Sequence, residues 1–250
     1  MLGVNGLLLP GGTQSLNEGA RFAIKYALDL NKQGDFFPLW GTCLGFEWIS
    51  QVFSGDDNIV ADGFDAENMT QPLGLVDGSS SSRMFSGIPK DILEEASTKP
   101  LAFNNHHMGV EPEAFLESPL ADLFRVITIN FDRTRRGYIS GIEGFDWPIY
   151  GIQWHPEKSQ FEWGYDEDGT PHQIINHSDS SVQLSQALAN FFVEEARKNP
   201  HVFQGKHALQ WNLPALFEER PVSKTGPSTI QTFYLPSSPQ EEVEVHQSQA

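Results

Sequence analysis

FFPLWGTCLGFEWISQVFSG, residues 36–55, holds the single cysteine of this 250-residue chain, Cys43. An apolar run leads into a G-x-C-x-G motif, and Phe46, Ile49 and Phe53 then recur at helical spacing up to Gly55. The stretch reads as a buried strand, a sharp turn and a helix, with Cys43 at the helix N-terminus. Gly41 and Gly45 let the backbone fold tightly there and keep side chains out of the way. Backbone N–H groups and the helix dipole at that position favour the reactive thiolate. A free cysteine is also commonly a small, inert core residue. Its partners must decide between the two.

Working outward, VNGLLLPGG (4–12) reads as a short buried strand ending in a Gly-rich turn. NEGARFAIKYALDLNKQG (17–34) reads as a helix. Asn17 caps it, Gly34 ends it, and its apolar stripe is Phe22, Ala23, Tyr26, Ala27 and Leu30. The order strand, helix, strand, helix is that of an α/β fold with a mostly parallel sheet. Residues 56–120 are looser, with turn-rich patches such as DGSSSS (77–82) and one strand candidate in PLAFNNHH (100–107). LFRVITINFD, GYISGIEG and WPIYGIQW then follow with no helix signal between them, so hairpin-like pairing is expected. A helix over 179–198 carries Leu184, Ala187, Leu188, Phe191 and Phe192 on one stripe. The composition turns polar and Pro-rich from about 221, and that tail is expected to be disordered.

Composition excludes several classes. The formal net charge of -17 argues against nucleic acid or an acidic membrane as partner. One cysteine permits neither an internal disulfide nor a cysteine-based zinc cage. No apolar run approaches the roughly 18 residues of a membrane span, and the opening residues carry no basic n-region of a signal peptide.

A thiolate nucleophile needs a histidine. His155, in YGIQWHPEK (150–158), lies just past the carboxyl end of an expected strand, where catalytic groups of parallel sheets gather. Glu157 is two residues on, on the same side of an extended segment, and suited to orient the imidazole. The same pair also fits a strand-end histidine beside a solvated acid. The turn at Gly11 and Gly12 exposes backbone N–H groups that, with the N–H of Leu44, suit an oxyanion hole; an ordinary loop turn reads the same way. His106 and His107 are adjacent and point apart on an extended segment, which makes them poor joint metal ligands, and no metal is expected.

The segments GLLLPGG, FFPLWGTCLGFEWIS, SRMF, YGIQWHPEK, FEW and FFVEEARKN resemble the class I glutamine-amidotransferase fold, a flavodoxin-like mostly parallel sheet flanked by helices. The resemblance is closest to the gamma-glutamyl hydrolase family. It spans roughly residues 4–205; residues 1–205 are expected to form a single catalytic domain, with 206–250 as a C-terminal extension. It implies Cys43 as nucleophile, His155 as catalytic histidine and Glu157 as orienting acid. It implies a further functional histidine at His106, with His107 the adjacent alternative. It also implies hydrolysis of folyl- and antifolyl-poly-γ-glutamates without a cofactor, a lysosomal, vacuolar or secreted setting, and a homodimer. Arg83 and Lys158 are candidates for binding glutamate carboxylates, and a solvated role fits each as well. Glutamine-using relatives typically carry Gln four residues after the nucleophile; Glu47 stands there, which favours a hydrolase over an ammonia-producing subunit.

The family normally has more strands and helices before the Gly-Gly turn. The chain is therefore expected to be amino-terminally truncated, with an unpaired strand edge and exposed apolar surface. Sequons at Asn68 and Asn176 suit a secretory protein. The rival functions are a glutaminase domain and a non-catalytic homologue.

Overall fold

The computed structural model describes residues 3–202, together with the backbone of two short strands further on. Leu7–Leu9 (β1), Glu18–Lys32 (α1), Leu39–Thr42 (β2) and Leu44–Ser54 (α2) open the chain in the expected alternation. Ala66–Gln71 (β3), Lys90–Thr98 (α3), Ala102–His106 (β4), Pro112–Leu116 (α4) and Leu120–Leu123 (α5) follow. Phe124–Phe131 (β5), Gly137–Gly144 (β6), Ile149–Ile152 (β7), Lys158–Phe161 (α6) and Asp179–Arg197 (α7) complete the body.

The main sheet has the order β1-β2-β7-β6-β5. β1 with β2 and β2 with β7 are parallel; β7 with β6 and β6 with β5 are antiparallel. The antiparallel half follows from the short connections around Gly137 and Trp147, which leave no room for a crossover helix. β2 and β7 are buried along their whole length, as strands covered on both faces must be. Successive residues serve opposite faces. Leu39 and Ile149 pack with Phe46 and Ile49 of α2, whereas Trp40 and Tyr150 pack with Leu184 and Leu188 of α7.

β3 and β4 form a separate antiparallel pair. β3, AENMTQ, is polar and lacks alternation, so no strand was expected there. α1 begins at the Asn17 cap, whose side chain accepts from Ala20 N at 2.9 Å. Its buried face, however, is Ile24, Ala27 and Leu30, and Phe22 is 66 % exposed. Ala27 and Leu30 of the expected stripe are thus buried, Ala23 and Tyr26 are half-buried, and Phe22 alone turns outward, its ring tilted against that of Tyr26 with centroids 5.8 Å apart.

β1 ends the sheet, and among the described residues nothing pairs with its outer edge. Beside that edge runs an apolar groove of about 380 Å³ lined by Leu8, Trp40, Leu188, Phe192 and Val193 among others. Of the groove residues, Leu8 and Val193 are exposed, and Trp40 and Leu188 are buried. The sequon side chains are engaged with backbone: Asn68 Oδ1 accepts from Ile174 N, and Asn176 Nδ2 donates to Pro100 O, each at 2.7 Å. No described helix is long and apolar enough to cross a membrane. Glu218–Arg220 (β8) and Thr232–Tyr234 (β9) pair antiparallel. β9 departs from the disorder expected past 221; the rest of 203–250 lies outside the described residues.

Candidate active site

Cys43 occupies the single position between β2 and α2, with φ +50° and ψ -108°. Positive φ is uncommon for a residue with a Cβ and costs about 1–3 kcal/mol. The surroundings over-determine it. Cys43 N donates to Ile152 O at 2.8 Å, pinning the turn to the end of β7. A Cβ on Gly41 would stand 2.5 Å from the Gly45 carbonyl carbon, and one on Gly45 would stand 2.2 Å from Leu9 O. The flanking glycines are therefore needed for close approach of β1, β2 and α2. Leu44 is the first residue of α2, so its N–H has no intrahelical acceptor.

His155 follows β7 and is 7 % exposed. Its backbone N–H donates to Phe103 O at 2.8 Å, tying it to β4. Nδ1 lies 2.7 Å from Glu157 Oε1, so Nδ1 carries a proton and Nε2 is the nitrogen left for Cys43. Burial alone would push the imidazolium down. Hydrogen bonds with Cys43 and Glu157 outweigh it and lift the imidazole to about 10. A Cβ on Gly11 would lie 2.7 Å from His155 Cε1 and 3.6 Å from Cys43 Cβ. Gly11 thus leaves space for both reactive side chains. Gly12 sits against Leu44, whose Cδ2 would be 3.0 Å from an added Cβ.

Cys43 lies where two recesses meet. One, about 330 Å³, has Gly11, Gly12, His155, Glu157 and Lys158 in its wall. The other, about 380 Å³, has Leu44, Glu47, Trp48 and His106. The structure thus brings together Cys43, His155, Glu157, Gly11, Gly12, Leu44 and His106. His106 is buried at the end of β4 while His107 is exposed and pairs with Asp62 Oδ1 at 2.8 Å, which separates their roles. His106 Nδ1 donates to Met108 O at 2.6 Å, and Nε2 is buried with no partner among the described residues. Burial pushes its imidazole down to about 4, so the ring is neutral and Nε2 is a lone-pair acceptor.

Arg83 is not in the cleft. It pairs with buried Glu143 at 3.4 Å and lies 5.4 Å over the Tyr150 ring, beside α7. Lys158 is in the wall, with Nζ bonded to Glu162 and Gln173 at 2.9 and 2.8 Å. Gln153, which no sequence motif marks, also reaches the cysteine, with Nε2 3.8 Å from Cys43 Sγ. It lies two positions before His155, and the same alternation that linked His155 to Glu157 would have pointed it at the cysteine.

A model of the family described as glutamine amidotransferase class-I matches residues 1–166. Gamma-glutamyl hydrolase B of Dictyostelium discoideum is 37 % identical over 239 residues, which cover 93 % of this chain and 66 % of that protein. Gamma-glutamyl hydrolase of Homo sapiens is 36 % identical over 238 residues, covering 93 % of this chain and 71 % of that protein. The protein of the same name from Mus musculus is 34 % identical, covering 93 % and 72 %. The chain spans about two thirds of the length of these curated relatives.

Proposed function

Because the chain belongs to the class-I glutamine amidotransferase family, and within it to the gamma-glutamyl hydrolases, we propose that it hydrolyses γ-glutamyl amide bonds with Cys43 as nucleophile. The substrates proposed are folyl- and antifolyl-poly-γ-glutamates. The observation that carries the mechanism is Cys43 held at positive φ beside a His155–Glu157 pair of 2.7 Å.

The sulfur attacks the γ-carbonyl carbon, and the carbonyl π electrons move onto oxygen. The N–H groups of Leu44 and of Gly11 or Gly12 receive that oxyanion. His155 Nε2 gives its proton to the departing amine nitrogen, the C–N bond breaks, and a thioester remains. Water then loses a proton to Nε2 and attacks the thioester, releasing a γ-carboxyl product and the thiolate. Glu157 keeps the imidazole turned throughout. Neutral His106, whose Nε2 has no partner among the described residues, accepts an N–H of the substrate at the cleft wall. Lys158 provides positive charge for an α-carboxylate. The setting proposed with this activity is lysosomal, vacuolar or secreted, and the assembly a homodimer. Organelle fractionation and sedimentation check these.

The deciding experiment offers the expressed 250-residue chain a folyl poly-γ-glutamate and, separately, free glutamine. Cleavage of the γ-glutamyl chain without ammonia from glutamine is expected, and Cys43→Ala should abolish it while far-UV circular dichroism stays native. Turnover by Cys43→Ala, or ammonia from glutamine without chain cleavage, rejects the reading.

A further inference from the structure

Two carboxylates reach Cys43 from different sides, each through one intermediary. Glu157 acts through His155. The second route runs from Glu47, on the first turn of α2, through Gln153. Gln153 is fully buried, and its Nε2 stands 2.9 Å from Glu47 Oε1 and 3.8 Å from Cys43 Sγ. An amide nitrogen carries two protons, and these two acceptors use both. Oε1 of the same amide is buried with no partner among the described residues. Leaving a buried oxygen unpaired costs about 1–3 kcal/mol. Turning the amide over would set that oxygen against the Glu47 carboxyl oxygen and the Cys43 sulfur, and would offer it no donor once those groups are ionised. A Glu47 carboxylate oxygen accepting from Nε2 holds the amide with nitrogen toward sulfur.

We propose that Gln153, oriented by Glu47, is a positioning residue that donates a hydrogen bond to the Cys43 thiolate and supports it independently of His155. No bond to carbon changes and the proton stays on Nε2. Burial holds Glu47 above the ordinary carboxylate range, and the Gln153 hydrogen bond pulls it back toward the ionised form. The inference rests on the proposed function only in taking Cys43 as the nucleophile. The titratable groups lining the two recesses at the sulfur are Glu47 from α2, His155 and Glu157 after β7, Lys158 and Glu162 around α6, His106 and His107 from the end of β4, and Glu67 from β3. Each variant below alters one residue and leaves the other groups in place.

Because the chain has a single cysteine, iodoacetamide reports Cys43 alone. Its alkylation rate is followed across pH, without substrate, for the native chain, Gln153→Met and Glu47→Met. In Gln153→Met the midpoint should rise by about one unit, so that alkylation well below both midpoints slows about tenfold. Glu47→Met tests the sign. Removing a nearby negative charge should by itself ease thiolate formation and lower the midpoint, whereas loss of the orienting carboxylate raises it. An unchanged or lowered midpoint in either variant overturns the proposal. So does a loss of turnover with an unmoved midpoint, which is the mark of a packing role. Circular dichroism checks the fold. If Gln153→Met does not fold, Gln153→Asn draws the amide back by one methylene and carries the same expectation. A midpoint shift in a chain that cleaves no γ-glutamyl bond would keep this inference and reject the substrate.

Discussion

His155 and His106 are both buried, yet their surroundings push them in opposite directions. For His155, hydrogen bonds with Cys43 and Glu157 overcome burial and lift the imidazole to about 10. Glu157→Gln keeps an oxygen for Nδ1 but removes the charge, so the imidazolium gives up its proton at lower pH. The alkaline limb of kcat/KM should move down the pH scale. The value at the optimum should fall about 10²-fold, the lower end of what a positioned acid–base group contributes. For His106, burial wins and the pKa falls to about 4. Between its unfolded value near 6.5 and about 4, the unfolded chain binds a proton that the folded chain refuses. The sign follows: stability falls as pH drops through that window, by roughly 3 kcal/mol in all from this residue. Urea unfolding at the two ends of the window, native against His106→Gln, should show that portion of the slope vanish in the variant. Equal slopes would mean the ring is protonated in the folded chain.

At the scale of elements, the site depends on β1, β2 and α2 meeting more closely than side chains allow. Gly45→Ala sets a methyl 2.2 Å from the Leu9 carbonyl oxygen, which cannot swing aside. It should cost about 3 kcal/mol, the upper range for overpacking, and urea unfolding measures it. Gly11→Ala meets the His155 ring at 2.7 Å instead, and a ring can rotate away. Stability should barely change while kcat/KM falls about 10²-fold, as a displacement near 1 Å of a reacting group produces. The elbow, the β7 end and α7 were legible because their signals are local: glycine spacing, a strand-end histidine and a 3.6-residue stripe. β3 was not, because its polar residues answer only to β4. The outward turn of Phe22 depends on how α1 meets its neighbours, and local periodicity does not carry that. Gln153 was hidden for a similar reason, since its meaning rests on Glu47, 106 positions away.

For the whole molecule, a net charge of -17 opposes the approach of a polyanionic chain. Raising ionic strength from about 0.01 to about 0.15 M shortens the screening length from roughly 30 to 8 Å. kcat/KM for a long γ-glutamyl chain should therefore rise severalfold with salt, and that for an uncharged γ-glutamyl amide should hardly move. A fall with salt would locate a basic track that overrides the net charge. Cys43, 5 % exposed at the meeting of two recesses, is also the single thiol of 250 residues. Peroxide that enters the cleft converts such a sulfur to a sulfenic acid. No second cysteine in this chain can trap that species as a disulfide, so a further oxidant carries it to the irreversible sulfinic state unless a small-molecule thiol arrives first. The working lifetime of the site under oxidation is then set by the thiols dissolved around it.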